Sequence, residues 1–177
     1  TDDEVEEYNE EKTIDDYALT IFTTAEGYIK KVSANSLRLT TSEHKLKEDD
    51  KIIQTIETTN KSDLLFFSNK SVVYKMKTYE LSDCKVSAMG EYLPGLLGLE
   101  NGEMILYTVV TTDYKGVMLF SFENGKIAKV GLSSYATKTN RKKLIGAYSD
   151  KVPVCDIKWI SEDTEIVCYA DNNKVLA

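Results

Sequence analysis

One pattern recurs four times in this sequence. A short apolar run rich in Phe and β-branched residues meets a polar turn, and a second short apolar run follows that carries lysines in the first three copies. The copies occupy residues 19–32, 63–76, 117–130 and 165–177. Gly27, Ser71, Gly125 and Asn173 fall at the same point of each, separated by 44, 54 and 48 residues. In the third copy Asn124-Gly125 stands between the two runs. That pair predicts a two-residue type I′ hairpin, whose central residues both need positive φ. A hairpin cannot bury its apolar faces alone, and a period of roughly 50 residues belongs to units of about four strands stacked as blades. The predicted fold is therefore all-β, an arc of about four propeller-like blades.

A lysine also recurs. Lys31, Lys75 and Lys129 stand four residues past the turn position, and Ala177 holds that place in the fourth copy. A residue repeated at one point of a repeated hairpin lies at one radial position in every blade. The lysines are then either solvated strand ends or a repeated cationic contact. Strand alternation puts Lys31 on the face of Ile29 and Lys129 on the face of Ile127. A bulge or twist at the strand end would resolve that conflict.

Between the hairpins, residues 33–50 read as a polar loop with a short strand, and His44 there reads as a solvated side chain among charges. Residues 51–57 alternate as a strand, and residues 77–82 continue outward from the second hairpin. Residues 87–103 hold four of the nine glycines and read as a connection with a short buried strand at 96–99. They lack the strand-then-helix context and the Gly-Lys-Ser/Thr ending of a phosphate-binding loop. Residues 103–110 and 116–122 read as successive strands, and 156–160 and 164–169 as the next strand pair. Tyr135 and Tyr148 read as core tyrosines. The sequence stops inside the fourth hairpin, so the expectation is a domain continuing into further blades. No apolar run reaches the length of a membrane-spanning helix. Cys84, Cys155 and Cys168 form no CxxC pair and read as reduced thiols of a cytosolic protein.

The formal net charge of −7 misleads. Residues 1–16 hold nine acids against Lys12 alone, leaving 20 acids and 21 bases in the rest. Residues 126–143 hold six bases and no acid. A basic surface can therefore exist on an acidic chain, which admits a polyanionic partner. One histidine and three scattered cysteines give no nucleophilic or metal constellation, and Glu162-Asp163 fall in a turn context. A propeller-type protein–protein interaction module is the alternative. The Gly-His and Trp-Asp pairs of WD repeats are absent, since Trp159 is followed by Ile160.

Several motifs, in order, resemble the C-terminal domain of the A subunit of bacterial type IIA DNA topoisomerases, the family of DNA gyrase and topoisomerase IV. Gly27-Tyr28-Ile29-Lys30-Lys31-Val32 resembles its Gly-Tyr-hydrophobic-Lys-Arg element. Residues 48–51 and 64–77 with Tyr79-Glu80-Leu81 resemble its next blade. Gly90 with residues 96–103, ending Gly102-Glu103, resembles its inter-blade connection. Asn124-Gly125-Lys126-Ile127-Ala128-Lys129, Ser134-Tyr135 and Asn140-Arg141-Lys142-Lys143 resemble a later blade. The resemblance implies an acidic linker at 1–16 and, at 17–177, a β-pinwheel whose neighbouring blades exchange a strand and whose basic rim bends duplex DNA. The implied DNA contacts are Lys30, Lys31, Lys75, Lys77, Lys126, Lys129, Lys138, Arg141, Lys142 and Lys143.

The resemblance further implies no catalytic residue, metal or cofactor in this segment. ATP and Mg2+ would act through other domains of the parent enzyme, a cytoplasmic, nucleoid-associated bacterial protein. Its partners would be double-stranded DNA, the rest of the A subunit, the B subunit, and no membrane. Two departures matter. The Gln-Arg-Arg-Gly-Gly-Lys-Gly box of the gyrase family is missing from residues 33–50, where Arg38 stands without it. The family's Ile-Pro is here Leu81-Ser82. The first departure favours a topoisomerase IV-like or divergent A subunit over a true gyrase.

Overall fold

The computed structural model describes residues 13–137 and 141–161 and the backbone of 168–169 and 175–176. Its elements in chain order are β1 (Ala18–Thr24), β2 (Tyr28–Ser33), α1 (Ala34–Leu39), β3 (Ile52–Thr59), β4 (Asp63–Ser68), β5 (Val72–Lys77), β6 (Glu91–Tyr92), α2 (Leu93–Leu97), β7 (Ile105–Thr111), β8 (Val117–Phe122), β9 (Ile127–Gly131), β10 (Lys143–Ile145), β11 (Val154–Ile160), β12 (Cys168–Tyr169) and β13 (Val175–Leu176). Three sheets run in the orders β3-β1-β2-β6, β10-β5-β4-β7 and β11-β8-β9, and β12 pairs with β13. Every strand pair is antiparallel.

Each sheet is built on one of the repeated hairpins, β1-β2, β4-β5 and β8-β9. The strand that leads into a hairpin does not stay with it. β3 precedes β4 yet pairs with β1, β7 precedes β8 yet pairs with β4, and β11 pairs with β8. The segment following a hairpin also returns to the sheet before it. β6 pairs with β2, and β10 pairs with β5. Neighbouring blades thus exchange strands, as the resemblance implies.

The repeat positions are real backbone equivalents. Gly27 (φ 94°), Ser71 (φ 59°) and Gly125 (φ 82°) all take left-handed conformations, while Asn173 lies outside the described residues. The turn type differs from expectation. Asn124 has no positive φ. The amide of Gly125 donates to Phe122 O (2.9 Å) and that of Phe122 to Lys126 O (2.9 Å). The loop is therefore Glu123-Asn124-Gly125, three residues with one left-handed glycine.

The continuous apolar run of β4 reflects burial on both faces. Leu65 and Phe67 pack with Val109, Met118, Phe120 and Leu132 toward the third sheet. Leu64 and Phe66 pack with Leu19, Ile21, Ile29 and Leu93 toward the first. Each such side chain contributes roughly 1.5–3 kcal/mol by leaving water, so the second sheet is bonded to both neighbours. Tyr135 and Tyr148 are in the former cluster. A polar tie adds to this: the Gln54 amide donates to Thr108 O (2.9 Å) and accepts from its N–H (2.8 Å).

Three local expectations are corrected. Residues 33–50 contain α1, started by Ser33, whose hydroxyl accepts from the Ser36 amide (3.1 Å). Six residues are too few to show helical periodicity. Residues 96–99 are not a buried strand. Pro94 lies in the first turn of α2, Gly98 ends it in a left-handed conformation, and Leu96 is exposed. Residues 78–80 form a 3₁₀ turn instead of continuing β5. At the N-terminal side, Asp15 O accepts from Asn60 (2.8 Å), and the Asp16 carboxylate accepts from the Lys61 amide (3.0 Å). Among the described residues no helix is long and apolar enough to cross a membrane.

Candidate nucleic-acid interface

Of the ten lysines and arginines expected to face a polyanion, the nine described separate into an inner and an outer set. Lys30 is 0% exposed. Its ammonium donates to Lys45 O (2.7 Å) and Val86 O (2.9 Å) and lies 3.2 Å from His44 Nδ1. Burial pulls its pKa below the usual lysine value, against a smaller upward influence from Cys84. Lys31 is 4% exposed. It donates to Leu81 O (3.0 Å), stands 3.5 Å from Asp83 and lies over the Tyr17 ring.

Lys75 donates to Tyr135 O (2.9 Å) and Thr137 Oγ1 (3.1 Å) and lies 5.3 Å from the centroid of Tyr114. Lys77 pairs with Asp63 at 2.6 Å, and Asp63 also accepts from the Tyr114 hydroxyl (2.6 Å). The expectation that Lys30 and Lys31 face a polyanion is therefore corrected, since their ammonium groups are enclosed by the protein. Lys75 and Lys77 are half-buried, with internal partners.

The alternation conflict resolves without a bulge in β2, whose register with β1 is unbroken. Ile29 and Lys31 share a face because both are buried there, while Ile127 and Lys129 share a face because both are exposed. A lysine accepts the inner position because its four-carbon stem packs with apolar neighbours and its tip reaches a carbonyl. The sequence does carry a hint of this, since Lys30-Lys31 is bracketed by Ile29 and Val32.

The outer set is Lys126, Lys129, Arg141, Lys142 and Lys143, all exposed. Lys126 ends the third hairpin turn, and Lys129 lies on β9 opposite Leu119. Lys142 stands 3.4 Å from Glu80 at the surface. Lys143 opens β10 opposite Tyr74, 5.6 Å from that ring's centroid. Tyr74 in turn donates to buried Glu103 (2.8 Å). Lys138 lies outside the described residues. Strand exchange divides this one basic run of sequence: Lys126 and Lys129 belong to the third sheet, and Lys142 and Lys143 to the edge of the second.

His44 is half-buried rather than solvated. It packs edge-on to Phe22 (4.5 Å between ring centroids) beside the Lys30 ammonium. Burial, then the Lys30 charge, holds its pKa below 6.5. Cys84 is half-buried and Cys155 exposed, both as free thiols. Among the described residues no three His, Cys, Asp or Glu side chains come together as a metal-ion cluster. The chemistry available on the outer face is charge pairing and hydrogen-bond donation to an anion.

No family model matches the sequence. It is 28% identical over 144 residues to the DNA gyrase A subunit of Thermotoga maritima, covering 77% of this chain and 18% of the relative. It is 31% identical over 125 residues to that of Streptomyces coelicolor, covering 66% and 15%. Over 165 residues it is 29% identical to that of a Nocardioides species, covering 89% and 17%. The chain thus spans less than a fifth of the length of these curated relatives. By structure it superposes on the C-terminal domain of a DNA topoisomerase IV with a TM-score of 0.72 at 23% identity, covering 84% of this chain and 47% of that one. For the E. coli ParC C-terminal domain the TM-score is 0.63 at 14% identity, covering 82% and 58%.

Proposed function

This chain is a relative of the DNA gyrase A protein, with the fold of the C-terminal domain of type IIA topoisomerases, and from that premise we propose that it binds duplex DNA along its outer basic residues and bends it. The observation that carries this reading is the placement of Lys126, Lys129, Arg141, Lys142 and Lys143 on the exposed surface of two neighbouring sheets. Cations on successive blades neutralise successive phosphates and release condensed counterions. Such contacts position a duplex without reading its sequence. Bending 20–30 base pairs costs on the order of 1–6 kcal/mol, so several contacts must act together. The overall negative charge does not oppose this strongly, because fields are screened within about 8 Å at physiological salt.

In the parent enzyme the domain would present bent DNA to a cleavage core, with the B subunit, ATP and Mg2+ acting through other domains in the bacterial cytoplasm. The missing basic-glycine box favours topoisomerase IV-like handling over full wrapping.

A salt titration of linear duplex binding tests the reading. Affinity should fall steeply with salt, and Lys142→Gln with Lys143→Gln should lower the slope of log K against log salt by about 0.9 for each phosphate no longer neutralised. Lys126→Glu with Lys129→Glu should weaken binding to any sequence alike. Binding that is insensitive to salt and to both pairs of substitutions would refute the proposal.

A further inference from the structure

The two inner lysines four residues past the turn make the same contact. Lys31, counted from Gly27, donates to Leu81 O, and Lys75, counted from Ser71, donates to Tyr135 O. Leu81 lies ten residues past Ser71, and Tyr135 ten past Gly125. Each lysine therefore reaches the equivalent buried carbonyl of the next blade, at the end of a 3₁₀ turn (Thr78–Glu80 and Leu132–Tyr135).

A second contact repeats with the same fidelity. The Leu93 amide donates to Gly27 O (2.8 Å) and the Ala147 amide to Ser71 O (2.8 Å). Both donors lie 22 residues past the turn position of the following blade. The first two hairpins are thus each tied to their successor at the turn and, through a side chain, four positions further along the strand, in addition to the pairing of β6 with β2 and of β10 with β5. Four strand residues span roughly 13 Å. The pairings with β6 and β10 cover only the turn-proximal residues 28–29 and 72–74, so the lysine adds a side-chain tie beyond them that bears on the orientation.

We infer that Lys31 and Lys75 are positioning residues that set the angle between neighbouring blades, and with it the curvature of the surface on which DNA lies. This inference rests on the DNA-bending reading above. The turn contact joins two backbones and survives any side-chain change, so the lysine is the adjustable half of the pair. Lys31 has Asp83 and its buried neighbour Lys30 to reinforce it. The Lys75 ammonium feels the charge of Asp63 but bonds directly only to Tyr135 O and Thr137 Oγ1, and its tie is the softer of the two.

Lys75→Met keeps the aliphatic stem and removes the donor. A doubly end-labelled duplex reports bending by energy transfer, and a salt titration of the same duplex reports phosphate contacts. Lys75→Met should bend DNA less, with a salt slope unchanged and affinity within about twofold of wild type. Lys142→Gln with Lys143→Gln should do the converse, losing affinity and slope. Wild-type bending by Lys75→Met, or a lowered slope with bending intact, would overturn the inference. If the Met variant does not fold, Lys75→Gln, with a shorter arm and a weaker donor, is expected to bend DNA less, and bending equal to wild type overturns the inference there too. If the wild-type chain binds no duplex, the DNA reading fails by itself. Small-angle scattering of the free proteins then still decides, since Lys75→Met should change the distance distribution while Lys142→Gln with Lys143→Gln should not.

Discussion

Replacing Lys30 with Met isolates what a buried ammonium contributes to this fold. The thioether fills most of the space of the lysine stem but donates no hydrogen bond. Val86 O loses its 2.9 Å donor in a fully buried setting, and Lys45 O loses its 2.7 Å donor at a partly buried one. An orphaned buried carbonyl costs about 1–3 kcal/mol, and a hydrogen bond to a charged group contributes about 1.5–3 kcal/mol. Relief of the desolvated charge offsets part of this, leaving a net loss of about 2–4 kcal/mol. For a chain of this size each kcal/mol shifts the midpoint by roughly 2–4 °C, so Tm should fall by about 5–15 °C. Lys126→Met, at an exposed turn position, should stay within about 0.5 kcal/mol of wild type. Lys30→Arg keeps the charge but forces a larger planar group into an enclosed site, and should also destabilise. Thermal and urea unfolding of the three variants, followed by near- and far-ultraviolet circular dichroism, measure these effects. If Lys30→Met were no less stable than Lys126→Met, the inner lysine would not hold the β2 strand to the 84–88 loop, and the division into inner and outer cations would lose its basis.

The folded pKa of His44 lies below 6.5, so the unfolded state takes up this proton first as pH falls. Its contribution to stability is therefore complete above pH 6.5, declines below it, and has fully gone once pH is below the folded value. Urea midpoints of wild type and His44→Gln on either side of pH 6.5 should show a steeper decline in wild type; parallel declines would remove His44 as the cause. Gly90→Ala places a Cβ 2.2 Å from Ile29 O at φ +85° and should cost more than about 3 kcal/mol, because backbone must move. Gly125→Ala meets nothing within 4 Å at φ +82° and should cost only about 1–2 kcal/mol, the penalty of a left-handed alanine. Urea midpoints of the two variants measure the difference.

The fold was legible in the amino-acid sequence wherever a local rule repeats. A turn that needs a left-handed residue leaves Gly27, Ser71 and Gly125 at one phase of the pattern, and all three adopt that backbone. A strand covered on both faces must be apolar throughout, which is why Leu64-Leu65-Phe66-Phe67 marks the middle of the assembly. The short helices escaped because neither spans enough turns to show a period. Pro94 and Gly98 were nonetheless the available signs of α2.

The lysines divide the other way. Lys31, Lys75 and Lys129 occupy one repeat position and look alike in sequence, yet Lys31 is enclosed, Lys75 half-enclosed and Lys129 exposed. What encloses the first two arrives 50 and 60 residues later, as Leu81 and Tyr135 return across the preceding hairpin. Local composition determines that a segment is a strand and where it turns, because those depend on each residue's own backbone preferences. Which side chains meet solvent depends on the segment laid over them, and exchange of strands between blades settles that only once the later segments have folded back.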